Sequence, residues 1–144
     1  MFMLSLMQPS GLYELEKDSL EAISAQLLQM IQMKSYHLYT HSIQVANYAV
    51  SIAAKMGLPL NEIEQIRHAA LLHDVGLLMV PNALIQKCPY LNKKEMSKYK
   101  QHAASGANMI ENYPCCQQIL PYIRYHHEKW DGSGYPKHLR GANI

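Results

Sequence analysis

Disulfide chemistry has little to work with in this chain. Its cysteines are Cys88, Cys115 and Cys116, an odd number without regular spacing, which argues against a disulfide framework and fits a reducing compartment. Charge of one sign is also lacking. The formal net charge is +2 with the histidines neutral, so no strong basic field points to DNA as a partner. Long hydrophobic runs are missing too. Met1 to Met7 is apolar but short and has no basic leader, and no later run reaches spanning length without charges. Neither a signal peptide nor membrane insertion is expected, and the expected location is cytoplasmic. The sequence contains no internal repeat, low-complexity segment or β-alternating run of useful length, which leaves an almost wholly α-helical chain, an orthogonal bundle of about five helices.

What is present suffices for a core. The chain has 144 residues and is 49% hydrophobic, and a chain of this size can bury about 68–70% of its unfolded surface. Residues 1–35 read as an N-terminal packing or dimerisation helix and residues 36–144 as the domain that carries the chemistry. The first helix is expected from Leu12 to about Met33, with Ser10 as its cap. The second is expected from Tyr36 to Met56, its inner stripe formed by Val45, Tyr48, Ile52 and Met56 and extended backwards to His41, with Gly57 and Pro59 ending it. The third spans Asn61 to Asp74, with Ile63, Ile66, Ala70 and His73 inward and His68 on the solvated side. A loop with one short turn at Asn82 to Ile85 follows. Asn92 and Glu95 then form a capping-box pattern opening a helix to Glu111. Gly106 inside that helix costs about 1 kcal/mol relative to Ala, which a close helix approach would explain. Pro114 opens a last helix to His127.

Two stretches concentrate ligand-type side chains. His73-Asp74 closes an apolar run, and His126-His127-Glu128 leads into Lys129-Trp130-Asp131-Gly132-Ser133-Gly134-Tyr135-Pro136. Imidazole and carboxylate together suit first-row transition metals, and one aspartate with two oxygens can bridge two ions. Asp74 stands at a helix end, where its charge opposes the helix dipole unless a cation compensates. His37 lies one turn before His41, so both could reach one site, and His102 sits beside Tyr99 and Gly106. Gly132 and Gly134 permit close backbone approach to a ligand.

These residues carry a resemblance. His73-Asp74-Val75-Gly76, the spaced His41 and His102, and the segment from His126 through Asp131-Gly132-Ser133-Gly134-Tyr135-Pro136 resemble the HD-GYP branch of the HD-domain metal-dependent phosphohydrolases, over about His41 to Ile144. The resemblance implies an HD-domain-like helical bundle holding two or three divalent ions, iron or manganese, and hydrolysis of a cyclic dinucleotide such as cyclic di-GMP. It implies His41, His73, Asp74, His102, His126 and His127 as metal ligands, with Asp74 bridging, His73 and Asp74 as the catalytic pair and His37 as a further candidate. Lys129, Gly132, Gly134, Tyr135 and Pro136 fall in the implied substrate loop. Glu128 and Asp131 are candidates to fix imidazole tautomers from behind.

Two departures stand out. Leu77 occupies the position where the family usually has a phosphate-contacting lysine, which implies weaker phosphate binding. The family's later helices, which carry a further aspartate ligand, have no counterpart before Ile144, which implies uncovered apolar surface and favours a homodimer or a sensory or signalling protein partner. A domain of the same family that binds metal or nucleotide and acts through protein partners, without turnover, is the alternative.

Overall fold

The computed structural model describes residues 19–144. The expected start at Ser10 and Leu12 lies outside the described residues. Those residues form seven α-helices, α1 (Leu20–Lys34), α2 (Tyr36–Lys55), α3 (Leu60–Leu72), α4 (Asn82–Lys87), α5 (Lys93–Lys100), α6 (His102–Ile110) and α7 (Leu120–Tyr125), with 3-10 helices at Val75–Met79, Pro114–Ile119 and Gly141–Asn143. No strand is formed among them, and none of their helices is long and apolar enough to cross a membrane. The all-helical architecture is the expected one. The larger number of elements comes from breaks that periodicity does not reveal.

Local chemistry sets most boundaries. The Ser19 side chain accepts the Ala22 amide and caps α1. Ser35 ends α1 and caps α2 in one residue, so the chain turns a corner there without a loop. Asn92 and Glu95 form the expected capping box on α5, satisfying two of the amide donors that a helix start leaves unpaired. Lys34 donates to the carbonyls of Leu78 and Val80 at 3.0 and 2.9 Å, which ties the end of α1 to the 3-10 segment after Asp74.

The core is gathered on α3, α6, α7 and the segments between them. Leu72, Val75, Ala107, Ile110, Cys116, Ile119 and Ile123 are all fully buried. Two expectations are corrected here. On α2 the residues facing inward are Ser42, Ala46 and Ala53, whereas Tyr48, Ile52 and Met56 are exposed. Small side chains bring α2 close to α3, and closeness selected that face over hydrophobic bulk. His68 is buried, not solvated, because α1 crosses the far side of α3. Its Nδ1 lies 2.9 Å from the Ser24 hydroxyl, and its Nε2 lies 3.3 Å from Glu21. Burial, reinforced by the neighbouring Arg67, lowers the His68 pKa. The helix expected over Asn92–Glu111 is divided at Gln101, and the one expected over Cys115–His127 begins as a 3-10 turn.

The close approach expected at Gly106 is present, and its partner is Gly76. A Cβ on Gly76 would overlap the His102 carbonyl and the Gly106 amide nitrogen, both backbone atoms. The segment after Asp74 therefore lies backbone to backbone on α6, which sets Asp74 beside His102. Gly76→Ala should destabilise the fold by about 3 kcal/mol, the upper range for overpacking. Urea denaturation followed by far-UV circular dichroism checks this, and an unchanged midpoint would show that the backbone contact is not tight.

Candidate metal centre

Three imidazoles of the centre are delivered by helix ends. His73 follows the last residue of α3, His126 follows the last residue of α7, and His102 lies two residues beyond α5. A helix C-terminus leaves carbonyls without amide partners. Here His73 Nδ1 meets the Ala70 carbonyl, His102 Nδ1 that of Tyr99, and His126 Nδ1 that of Ile123, each at 2.7 Å and each three residues back. A carbonyl only accepts, so each Nδ1 donates, and each Nε2 is turned toward Asp74.

The Asp74 carboxylate divides the histidines into two groups. Its Oδ2 lies 3.2 Å from His73 Nε2 and 3.9 Å from His41 Nε2. Its Oδ1 lies 3.2 Å from His102 Nε2 and 3.7 Å from His126 Nε2. His127 joins the second group, with its Nε2 3.1 Å from that of His102, and His126 Nε2 lies 3.4 Å from the same atom. The potential ligand atoms within each group all fall within 4.8 Å of one another. His37 belongs to neither group and is exposed.

These spacings fit divalent ions. His102 Nε2 faces a carboxylate oxygen and two other imidazole nitrogens at once, and one proton cannot satisfy all three. Two imidazole nitrogens bound about 2.1 Å from one ion, at angles of about 90–110°, lie about 3.0–3.4 Å apart, which matches the nitrogen separations at His102. Burial pushes the Asp74 pKa up. Hydrogen bonds with His102, His126 and His73, and the charge on His73, more than reverse this and hold the carboxyl well below the usual carboxylate range. Burial likewise opposes charge on His73, but the Asp74 hydrogen bond, its charge and the Ala70 carbonyl leave the His73 pKa raised. Burial and the neighbouring His126 and His102 lower that of His127 to about 4.

The loop after His127 supports the centre from one side. Tyr135 stacks on His127, ring centroids 4.5 Å apart, and Lys100 Nζ stands 4.8 Å from the Tyr135 ring centroid. Gly134 packs so closely on the His127–Lys129 backbone that a Cβ would overlap it. Gly132 has φ 79°, a left-handed turn for which glycine is suited. Lys129 and Pro136 are exposed. Glu128 and Asp131 do not contact the imidazoles, and helix carbonyls orient those of His73, His102 and His126. Glu128 instead accepts the amides of Lys137 and Leu139, and Asp131 accepts that of Ser133.

A cleft of 640 Å³ opens on the centre, lined by His41, His73, Asp74, His126 and His127 together with Val45, Ile66, Ala69, Ala70, Tyr99 and Tyr122. Neither tyrosine is among the site residues expected from the sequence. Tyr99 had a sequence signal, its position three residues before His102. Tyr122 had none. Leu77, the apparent departure from a phosphate-binding lysine, is fully buried and does not line this cleft.

Comparison with known proteins bears on this geometry. The family profile described as "HD domain" matches residues 25–144. A 3'3'-cGAMP-specific phosphodiesterase of Vibrio cholerae is 32% identical over 120 residues, 82% of this chain and 23% of its own. A cyclic di-GMP phosphodiesterase of Thermotoga maritima is 31% identical over 122 residues, 83% of this chain and 33% of its own. One of Pseudomonas aeruginosa is 31% identical over 124 residues, covering 82% and 29%. The chain thus spans a third or less of the length of these relatives.

Metal uptake should be linked to protons. The His73 pKa lies above its ordinary 6.5, so metal-free protein holds a proton there that an incoming ion must displace. Binding should release it near pH 6.5 and strengthen as pH rises. In the metal-free fold the protonated His73–Asp74 pair contributes stability that is full below pH 6.5 and lost as pH rises through the folded pKa of His73. Calorimetry of metal binding in buffers of different ionisation enthalpy measures the released protons, and identical heats in all buffers would contradict the linkage.

Proposed function

Because the chain belongs to the HD-domain family, in its HD-GYP-type branch, we propose that it is a metal-dependent phosphodiesterase that hydrolyses a cyclic dinucleotide, cyclic di-GMP or 3'3'-cGAMP. The observation that carries this reading is the division at Asp74, one oxygen facing His41 and His73 and the other facing His102 and His126. Such a carboxylate is suited to bridge two ions, with iron or manganese matching the nitrogen and oxygen donors. Paired divalent ions supply Lewis acidity toward a phosphodiester and make water acidic enough to act as nucleophile at neutral pH.

The remaining tasks belong to the chain itself. His73, His102 and His126 keep Nε2 available because their Nδ1 protons are committed to carbonyls. Tyr99 and Tyr122 offer aromatic faces at the cleft against which a nucleobase can stack. Lys100, held near Tyr135, offers an ammonium to a phosphate oxygen, a task that Leu77→Lys would not perform because it would bury the charge. The reading places the enzyme in the cytoplasm, and it includes association with a second copy or a signalling partner through Tyr48, Ile52 and Met56, which are exposed on α2.

Asp74→Asn should lower hydrolysis of both dinucleotides at least about hundredfold, since replacing a direct ligand exceeds the 10–100-fold cost of altering an outer partner. The test is product formation by chromatography with manganese(II) or anaerobic iron(II), and circular dichroism verifies the fold. Unchanged turnover would defeat the assignment. Metal uptake by the unaltered chain without turnover of either dinucleotide would favour a binding module acting through partners.

A further inference from the structure

We propose that the two ligand groups bind ions unequally: Asp74, His102, His126 and His127 hold a tightly bound ion, and His41, His73 and Asp74 hold a weaker, exchangeable one. This rests on the two-ion reading of the centre and adds an order to it. Among the described residues the first group offers three imidazoles and a carboxylate oxygen, the second two imidazoles and the other oxygen. Fewer donors leave more positions to be filled by water or by oxygens of a bound phosphodiester.

Preorganisation widens the difference. The His102 side chain is completely buried, that of His126 is 15% exposed, and that of His41 is 45% exposed. Helix carbonyls orient both His102 and His126. Among the described residues no carbonyl orients the His41 ring or that of His127, and His41 Nε2 stands 3.9 Å from the carboxylate, farther than those of His73, His102 and His126. Ordering an exposed side chain on binding costs conformational entropy that a buried, hydrogen-bonded one has already lost. Position points the same way. Both imidazoles of the second group, His41 and His73, line the cleft, whereas in the first group His126 and His127 line it and the buried His102 does not. The weaker ion is therefore the more exposed of the two to solvent and to substrate, and its occupancy follows the surrounding metal concentration.

Titration of the metal-stripped full chain with manganese(II), by equilibrium dialysis and calorimetry, tests this without any activity measurement. Two classes of site are expected, their dissociation constants differing by at least about tenfold, the lower bound set by changes to outer partners alone. His41→Ala should remove the weaker class and leave the tighter one unchanged. His127→Ala should weaken the tighter class by a similar factor, with helicity confirming that the variant is folded. Two equivalent classes, or loss of the first-loaded ion in His41→Ala, would overturn the proposal while leaving a two-ion centre standing. A folded, unaltered chain that takes up neither manganese(II) nor anaerobic iron(II) would overturn the metal reading itself.

Discussion

Three helix C-termini point at one carboxylate, and the rest of the centre follows from the charge this creates. The ends of α3, α5 and α7 each carry partial negative charge on unpaired carbonyls, and Asp74 adds a full one among them. Imidazoles intervene at every end, donating from Nδ1 to a carbonyl and presenting Nε2 to Asp74. One histidine thereby caps a helix and serves as a ligand at once. The arrangement is balanced by positive charge between the Nε2 atoms and the carboxylate, as protons or as metal ions, and the spacing around His102 suits ions better.

Packing away from the centre holds these ends together. The backbone contact of Gly76 with α6 places Asp74 against His102. Ala103, Ala107 and Ile110 are buried on the same helix, and Lys34 secures the segment from the end of α1. On α2 the small residues Ser42, Ala46 and Ala53 face inward, which brings His41 to the cleft edge. The arrangement also turns Tyr48, Ile52 and Met56 outward. The close approach that helps form the site thus leaves an apolar face on the surface.

Much of the ligand set was legible in the sequence because helix ends and paired ligand residues leave local marks. His73-Asp74 closes an apolar run and is followed by Gly76. His126-His127 precedes a glycine-containing turn, and the Asn92–Glu95 box announces α5. The inner face of α2 was not legible, because alanine and serine carry little hydrophobic signal and close packing chooses them for size. The burial of His68 was not legible either, since a second helix covers a side of α3 that its own periodicity marks as polar. Glu128 was misjudged because proximity in sequence to two imidazoles does not reveal that its carboxylate reaches forward to Lys137 and Leu139.

The sequence by itself determined the helical class, the family, and the histidine and aspartate residues gathered as potential ligands, because these depend on residue types and short-range spacing. Only the tertiary structure decided how those residues divide. The partition of imidazoles between the two oxygens of Asp74, the exclusion of His37, the burial of Leu77 away from the cleft and the entry of Tyr99 and Tyr122 all arise from the directions in which helices cross. Those directions are set by packing between residues far apart in the chain, which no local pattern encodes.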